Sequence, residues 1–435
     1  MAAEPSPPVI VTRREIERLF VNKDAESAIH EVAAEQSPME HAQAMAMTGA
    51  ILRELQKAEV ETGSEKVLVT AQHGPASRLQ TLIASGELGT LGLEPLPAGG
   101  LEAKFDTQDW LGWASVVWAK LSHLRNHPLI RPSQPGPLPL PERGRIGLAG
   151  DWGTGLYGAP QIAQSIRNDP DPYIMLMHLG DVYYSGTKSE VRDRFLGLWP
   201  KRPEAIHRAL NSNHEMYSGG EYYFKDTLPA FGQEASYFAH QNAHWTLVGL
   251  DVAHTDHAID DEQVAWLKGI VAQAGDRKIV LFSHHQLFSI FDSQGEKLRA
   301  HPGFNEILNS GRIFAWYWGH EHRCAMYQER DDASGLWGRC IGHGGMPASR
   351  SKTRNLPRAD GFDRADWRKA DALWAAGGVR LAPPALVLEG PNPLISGEED
   401  DFTPNGYAVL TLDGPHLFEQ IRDPSGTVIL EHQLA

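Results

Sequence analysis

From residue 145 onward, short apolar runs alternate with polar or glycine-rich clusters. Arg145-Ile146-Gly147-Leu148-Ala149, Tyr173-Ile174-Met175-Leu176-Met177, Trp245-Thr246-Leu247-Val248-Gly249-Leu250 and Lys278-Ile279-Val280-Leu281-Phe282 are too uniformly apolar for half-exposed strands. They read as strands buried on both faces of a parallel sheet. Residues 206–210 and 312–318 repeat the pattern, and residues 237–251 read as two strands around Gln241-Asn242. Helical spacing intervenes at 159–167 and at 260–274, the latter opened by acidic residues, so the order is that of β-α-β units. A hairpin is expected after Cys324, turning at 331–335, and an antiparallel meander over 407–412, 416–422 and 428–433 closes the chain. The hairpin would make Cys324 and Cys340 cross-strand neighbours, as free thiols. Residues 347–404 show no clear period and read as a long irregular stretch, with Trp367 and Trp374 as anchors of a rim over the site.

The first third of the chain has a different texture. Residues 12–125 read as mostly helical. Ser37-Pro38-Met39-Glu40 has the chemistry of a helix start, and Trp110, Trp113, Val117, Leu121 and Leu124 fall on one helix face. Six prolines between Pro128 and Pro141 forbid helix or central strand and suggest an extended connector. The expected organisation is a helical region over 1–126, a proline-rich linker over 127–143 and an α/β domain over 144–435. A formal net charge of -15 argues against polymeric nucleic acid as partner. With only two cysteines, no apolar stretch of membrane-spanning length and no secretory pattern at the start, the expected location is cytoplasmic, away from membranes. Nothing bears on oligomeric state.

Chemistry collects where the strands end. In order, these positions carry Asp151, Asp181 with Tyr184, Asn213-His214, His284, and His320-x-His322. Open α/β sheets place ligands at the carboxyl ends of their strands. Carboxylate, imidazole, amide and phenol together suit two adjacent divalent or trivalent metals. Asp181 could bridge them, and His320 and His322 could face different ions. Two ions about 3.5–4 Å apart clamp the attacking and leaving oxygens of a phosphoryl displacement and bring water towards a pKa of about 7. Each residue has a plainer alternative: a helix-capping aspartate, a packed phenol for Tyr184, a histidine bonded to Glu215 for His214.

As an ordered set, Asp151-x-Gly153, Gly180-Asp181-x-x-Tyr184, Asn213-His214-Glu215, His284 and Gly319-His320-x-His322 resembles the calcineurin-like metallophosphoesterase signature, over about two-thirds of the chain. That resemblance implies a four-layer αββα sandwich, preceded here by the helical region. Gly153 stands where most relatives have a histidine, and Tyr184 stands where the purple acid phosphatase branch has a tyrosinate on iron. The resemblance to that branch implies one site of Asp151, Asp181, Tyr184 and His322, and a second of Asp181, Asn213, His284 and His320. It implies two metal ions, iron paired with zinc, manganese or iron. Ser212 departs from the usual glycine before Asn213.

The expected function is therefore hydrolysis of a small phosphate ester, most simply a monoester, by in-line attack of metal-bound hydroxide. Asp181, Asn213 and His214 would be catalytic, with His214 and His285 contacting substrate. His254, His257, His301 and His343 are candidates for the rim. A phosphodiesterase acting on cyclic nucleotides or small diesters is the alternative enzyme, since the same metals serve both. A binding or scaffolding module is the non-enzymatic one, disfavoured by the complete ligand set.

Overall fold

In a computed structural model, the structure describes residues 125–435, together with Gly74, Ser77, Arg78, Gln80, Thr81 and two short strands before residue 104. The chain divides into two compact units: residues 1–126 with Tyr217–Gly219, and residues 127–216 with 220–435. In the first, Ser77, Arg78, Gln80 and Thr81 are helical, and β1 (Leu93–Pro95) pairs antiparallel with β2 (Leu101–Ala103). The expected helix start at Ser37 and the tryptophan-bearing face over 110–124 lie outside the described residues.

The second unit runs through β3 (Leu138–Pro139), β4 (Arg143–Ala149), α1 (Gly158–Asn168), β5 (Tyr173–His178), β6 (Ile206–Ala209) and the single turn α2 (Asn213–Met216). There follow β7 (Phe238–Gln241), β8 (Trp245–Gly249), α3 (Asp261–Ala274), β9 (Lys278–Ser283), α4 (Glu296–Ala300), α5 (Pro302–Asn309) and β10 (Ile313–Trp318). Apart from two short 3-10 turns at Arg350–Lys352 and Glu399–Asp401, the remaining elements are strands: β11 (Cys324–Tyr327), β12 (Trp337–Ile341), β13 (Asp366–Ala370), β14 (Leu373–Trp374), β15 (Arg380–Ala382), β16 (Ala385–Glu389), β17 (Tyr407–Asp413), β18 (His416–Arg422) and β19 (Val428–Gln433).

Two mixed sheets result. One has the order β19-β18-β17-β4-β5-β6, the other β13-β16-β11-β12-β10-β9-β8-β7-β3. Side chains on a strand alternate between faces, and here each face is buried against something different. On β9, Val280 and Phe282 join Ile146, Leu148, Met175, Met177 and Leu410 in a core between the sheets. Ile279 and Leu281 point the other way, into a second core with Leu267 and Ile270 of α3 and Phe304 and Leu308 of α5. A third core packs Ala159, Ile162, Ala163 and Ile166 of α1 on the outer face of the six-stranded sheet. Helix, sheet, sheet, helix: this is the four-layer sandwich. Asp260 caps α3 by accepting from the backbone N–H groups of Glu262 and Gln263, as the acidic opening of that segment led one to expect.

Three stretches depart from the sequence reading. Residues 347–404 are not structureless, for β16 pairs with β11 and β13 with β16, extending the larger sheet. Trp367 is wholly buried in the inter-sheet core, whereas Trp374 is exposed. The proline-rich stretch is fastened to the sheet edge, with β3 parallel to β7 and the Leu140 N–H donating to the Gln241 carbonyl at 2.9 Å. Proline at such an edge position removes a donor that no neighbouring strand needs. The cysteines are one register step apart, since Cys324 faces Ile341 and Ala325 faces Cys340. Their side chains therefore lie on opposite faces, and both are buried free thiols. Among the described residues, no helix is long and apolar enough to cross a membrane.

Candidate metal centre

The turns after β4, β5, β6, β9 and β10 bring Asp151, Asp181, Asn213, His284, His320 and His322 together. Asp151, Asp181, His320 and His322 have φ of 54°, 76°, 68° and 54°. This left-handed region costs a non-glycine residue about 1–3 kcal/mol, and such strain persists where the surroundings over-determine it. Glycines make the crowding feasible. Gly180 has φ of 100°, and a Cβ there would fall 2.7 Å from His284 Nδ1, while one on Gly319 would fall 2.6 Å from Asp151 Oδ2.

The polar atoms form two nests. His284 donates from Nδ1 to the Leu179 carbonyl at 2.8 Å, which turns Nε2 inward. That Nε2 lies 3.1 Å from Asp181 Oδ1, 3.1 Å from Asn213 Oδ1 and 3.3 Å from His320 Nδ1. In the other nest, His322 Nε2 lies 3.6 Å from Asp181 Oδ2 and 3.7 Å from Asp151 Oδ1. An ion with bonds of about 2.0–2.2 Å separates neighbouring ligand atoms by about 3 Å, so each nest has the dimensions for one ion. Asp181 presents one oxygen to each.

The charge balance tests whether metal fits. Both Asp151 oxygens are buried with no hydrogen-bond partner among the described residues. Burial, and then the neighbouring Asp181 carboxylate, pushes the Asp151 carboxyl well above its usual range. Burial also opposes ionisation of Asp181, but the His284 and His214 imidazoles outweigh it and hold that carboxyl well below the usual range. Burial, reinforced by His284, keeps His320 neutral by pushing its pKa far down. Two packed carboxylates ringed by imidazoles, with no Lys or Arg ion-paired to either among the described residues, are the chemistry of a cation site.

The phenol in the second nest belongs to Tyr183. Its hydroxyl lies 2.7 Å from His322 Nε2 and donates to Asp181 Oδ2 at 3.2 Å, and its ring stacks on His214 with centroids 3.7 Å apart. Tyr184, expected as the ligand, uses its backbone to brace the loop. Its carbonyl accepts from His214 Nδ1 at 2.7 Å, its N–H donates to Glu190 at 2.6 Å, and its ring lies beside the Arg194 guanidinium. Glu190, which the sequence did not single out, also accepts from the N–H groups of Ser185 and Thr187 and from the Thr187 hydroxyl. One buried carboxylate thus pins the whole turn after Asp181. Its only sequence signal was an acid a few residues beyond the motif.

His214 is fully buried, and desolvation, partly offset by Asp181, pushes its pKa down to about 4. It bonds the Tyr184 carbonyl, not the side chain of Glu215. Glu215 instead accepts the Ser212 hydroxyl, and the Ser212 oxygen in turn accepts from the His214 N–H at 3.1 Å. Ser212 therefore works as a cap for α2, which a glycine could not do. His285 is buried against His257 and His320, with ring centroids 3.7 and 4.6 Å away. His254 bonds the His127 carbonyl, His301 caps α5 from the Phe304 N–H, and His343 is buried. Of the four rim candidates, His257 is brought beside the ligand residues.

Asp151, Asp181 and His322, and likewise Asp181, His284 and His320, are grouped closely enough to hold a metal ion. Residues 144–324 match the model of the calcineurin-like phosphoesterase family. No curated protein matches the chain in sequence. Among solved structures, purple acid phosphatase PPD1 from yellow lupin (Lupinus luteus) seeds is similar at 14% identity and a TM-score of 0.46, over 67% of this chain and 53% of that one. The chain thus spans about half the length of the lupin protein. GAP50, the anchor in the inner membrane complex of Plasmodium, is similar at 12% identity and a TM-score of 0.45, over 67% and 89%. PhoD follows at 10% and 0.41, over 68% and 69%.

Proposed function

We propose that the sandwich hydrolyses small phosphate esters, monoesters first, with one ion held by Asp151, Asp181, His322 and a tyrosine and another by Asp181, Asn213, His284 and His320. The observation that supports this most is the pair of Asp181 oxygens, each aimed at its own nest. When bound, two such ions supply charge for the phosphate oxygens and acidify water for attack on phosphorus. Iron with zinc, manganese or a second iron suits the oxygen-rich nest that contains a phenol. Tyr183, whose hydroxyl lies in the nest, takes the place expected of Tyr184.

The protein groups have their own tasks. His284 and His322 keep the Asp181 carboxylate ionised and oriented between the nests. Asn213 presents its amide oxygen from the first position of α2. His214, stacked on Tyr183 and bonded through Nδ1, can meet a phosphate or leaving oxygen only through Nε2. Its burial keeps it neutral at pH 7 until the negative charge of a phosphate arrives beside it, which raises the imidazole's pKa and lets Nε2 carry a proton for the leaving oxygen.

Chelator-stripped protein should regain turnover of p-nitrophenyl phosphate as two equivalents of metal return. Faster turnover of bis-p-nitrophenyl phosphate would move the assignment to phosphodiester hydrolysis. Two bound equivalents with no turnover of either compound would overturn the enzymatic reading in favour of a binding module.

A further inference from the structure

A third group of ligating atoms borders the two nests. His257, from the turn after β8, His285 and His320 each place one ring nitrogen within 4.8 Å of the others. His285 is 1% exposed, and neither of its ring nitrogens has a hydrogen-bond partner among the described residues. A buried polar group left unsatisfied is costly, so its surroundings ask for a partner that the described residues do not supply. His257 is already oriented. Its Nδ1 lies 2.9 Å from Asp256 Oδ1, and Asp256 is held in turn by Lys297. A carboxylate on one imidazole nitrogen fixes the ring so that the other can bind metal, the arrangement that ligating histidines ordinarily have. The carboxylate of Asp292 stands nearby, 3.9 Å from His320 Nε2.

We propose that His257, His285 and His320 form an outer site for a divalent transition-metal ion of the zinc type. Three imidazoles favour zinc, copper or nickel over magnesium, calcium or manganese. The existence of this site rests on the geometry alone; its effect on turnover rests on the function proposed above. A neutral imidazole ligates through one nitrogen at a time. His320 has Nδ1 beside His284 and Nε2 towards Asp292, so it can serve the inner nest or the outer site but not both. Filling the outer site therefore takes a ligand from the inner one. Excess zinc inhibits.

The test is equilibrium dialysis of the full chain against buffered free zinc, with metal content and p-nitrophenyl phosphate turnover followed together. Wild type should take up one equivalent beyond its tightly held zinc, and turnover should fall over the same range. His257→Ala should lack that equivalent, keep the tight zinc and resist inhibition. Asp256→Asn, which keeps the imidazole but loosens it, should move uptake to roughly 10–100-fold higher free zinc. An unchanged thermal transition of each variant shows that folding is not the cause. No extra equivalent in wild type, the same extra uptake in His257→Ala, or loss of tight zinc in that variant would overturn the proposal. If no tight zinc binds at all, the inner-site reading fails separately, because the extra equivalent is read as a difference between wild type and variant.

Discussion

Two regions of this molecule bury carboxylates, and they treat them oppositely. Glu419 on β18 is matched from within the chain. Arg339 on β12 donates to it from Nε at 2.8 Å and from Nη2 at 2.7 Å, and the Tyr317 hydroxyl donates at 2.7 Å. The Arg339 Nη1 is taken up by the carbonyls of Tyr327 and Gly338. Burial alone would raise Glu419, but Arg339 and its other partners bring it down to about 2. Asp151 is as deeply buried, and neither of its oxygens has a hydrogen-bond partner among the described residues. The first region joins the two sheets by satisfying its own charge. The second leaves a charge for something outside the chain to satisfy, and that is what distinguishes a site from a strut.

The sharpest way to break this contrast is Asp181→Asn. It should lower turnover by roughly 10²–10³-fold or more and release more than one equivalent of metal, since one carboxylate serves two nests. Two equivalents retained with near wild-type turnover would end the bridging assignment. Arg339→Met should do the reverse. Stranding Glu419 should cost about 3–5 kcal/mol in denaturant unfolding while metal content holds, and unchanged stability would refute the strut. Next, His214→Ala should lower turnover by about 10²-fold on poor leaving groups and less on good ones. Equal losses across a leaving-group series would make His214 a positioning residue only.

Acid and base should also act oppositely on the two regions. The folded pKa of Glu419 is depressed, so its contribution to stability is present above the unfolded value of about 4.3 and is lost as pH falls through about 2. The folded pKa of Asp151 is raised, so in metal-stripped protein its contribution is fully present below about 4 and is lost as pH rises past that value. Thermal unfolding of Asp151→Asn against wild type, both stripped, should show that slope vanish at neutral pH. A slope that persists would mean that other groups set it. The smallest effect concerns the two tyrosines. Tyr183→Phe should weaken metal binding by about tenfold and, in iron-loaded protein, abolish any visible phenolate absorption, whereas Tyr184→Phe should spare both. The opposite outcome would return the ligand role to Tyr184.

The sequence carried the ligand residues at the strand ends because buried parallel strands announce themselves by unbroken apolar runs. A polar residue just past such a run, like Asp181 or His284, has few structural reasons to be there. What could not be read is anything decided by a single step along the chain. Tyr183 and Tyr184 are adjacent phenols, and which of them turns inward depends on a loop held by Glu190. Cys324 and Cys340 lie about equally far from their turn, yet one register step sends them to opposite cores. The strand Asp366-Trp367-Arg368-Lys369-Ala370 has one large apolar residue among charges, so its sheet pairing is imposed from outside by β16. His257 stands in a turn where its neighbours Thr255 and Asp256 suggest only solvent; the fold alone brings it to His285.

The pairing of β17 with β4 has a consequence for how the molecule is made. The strand that delivers Asp151 has β5 on one side and β17 on the other, and every register pair of the latter uses residues from Ala408 to Asp413. All the residues of the two nests have left the ribosome long before that segment is translated. Until then, the strand bearing the first ligand presents an open edge, the kind of surface on which chains pair with the wrong neighbour. Ribosome-bound chains halted before Tyr407 should need a chaperone or a partner at that edge. A C-terminal truncation that removes no ligand at all should therefore cost the cell its soluble protein.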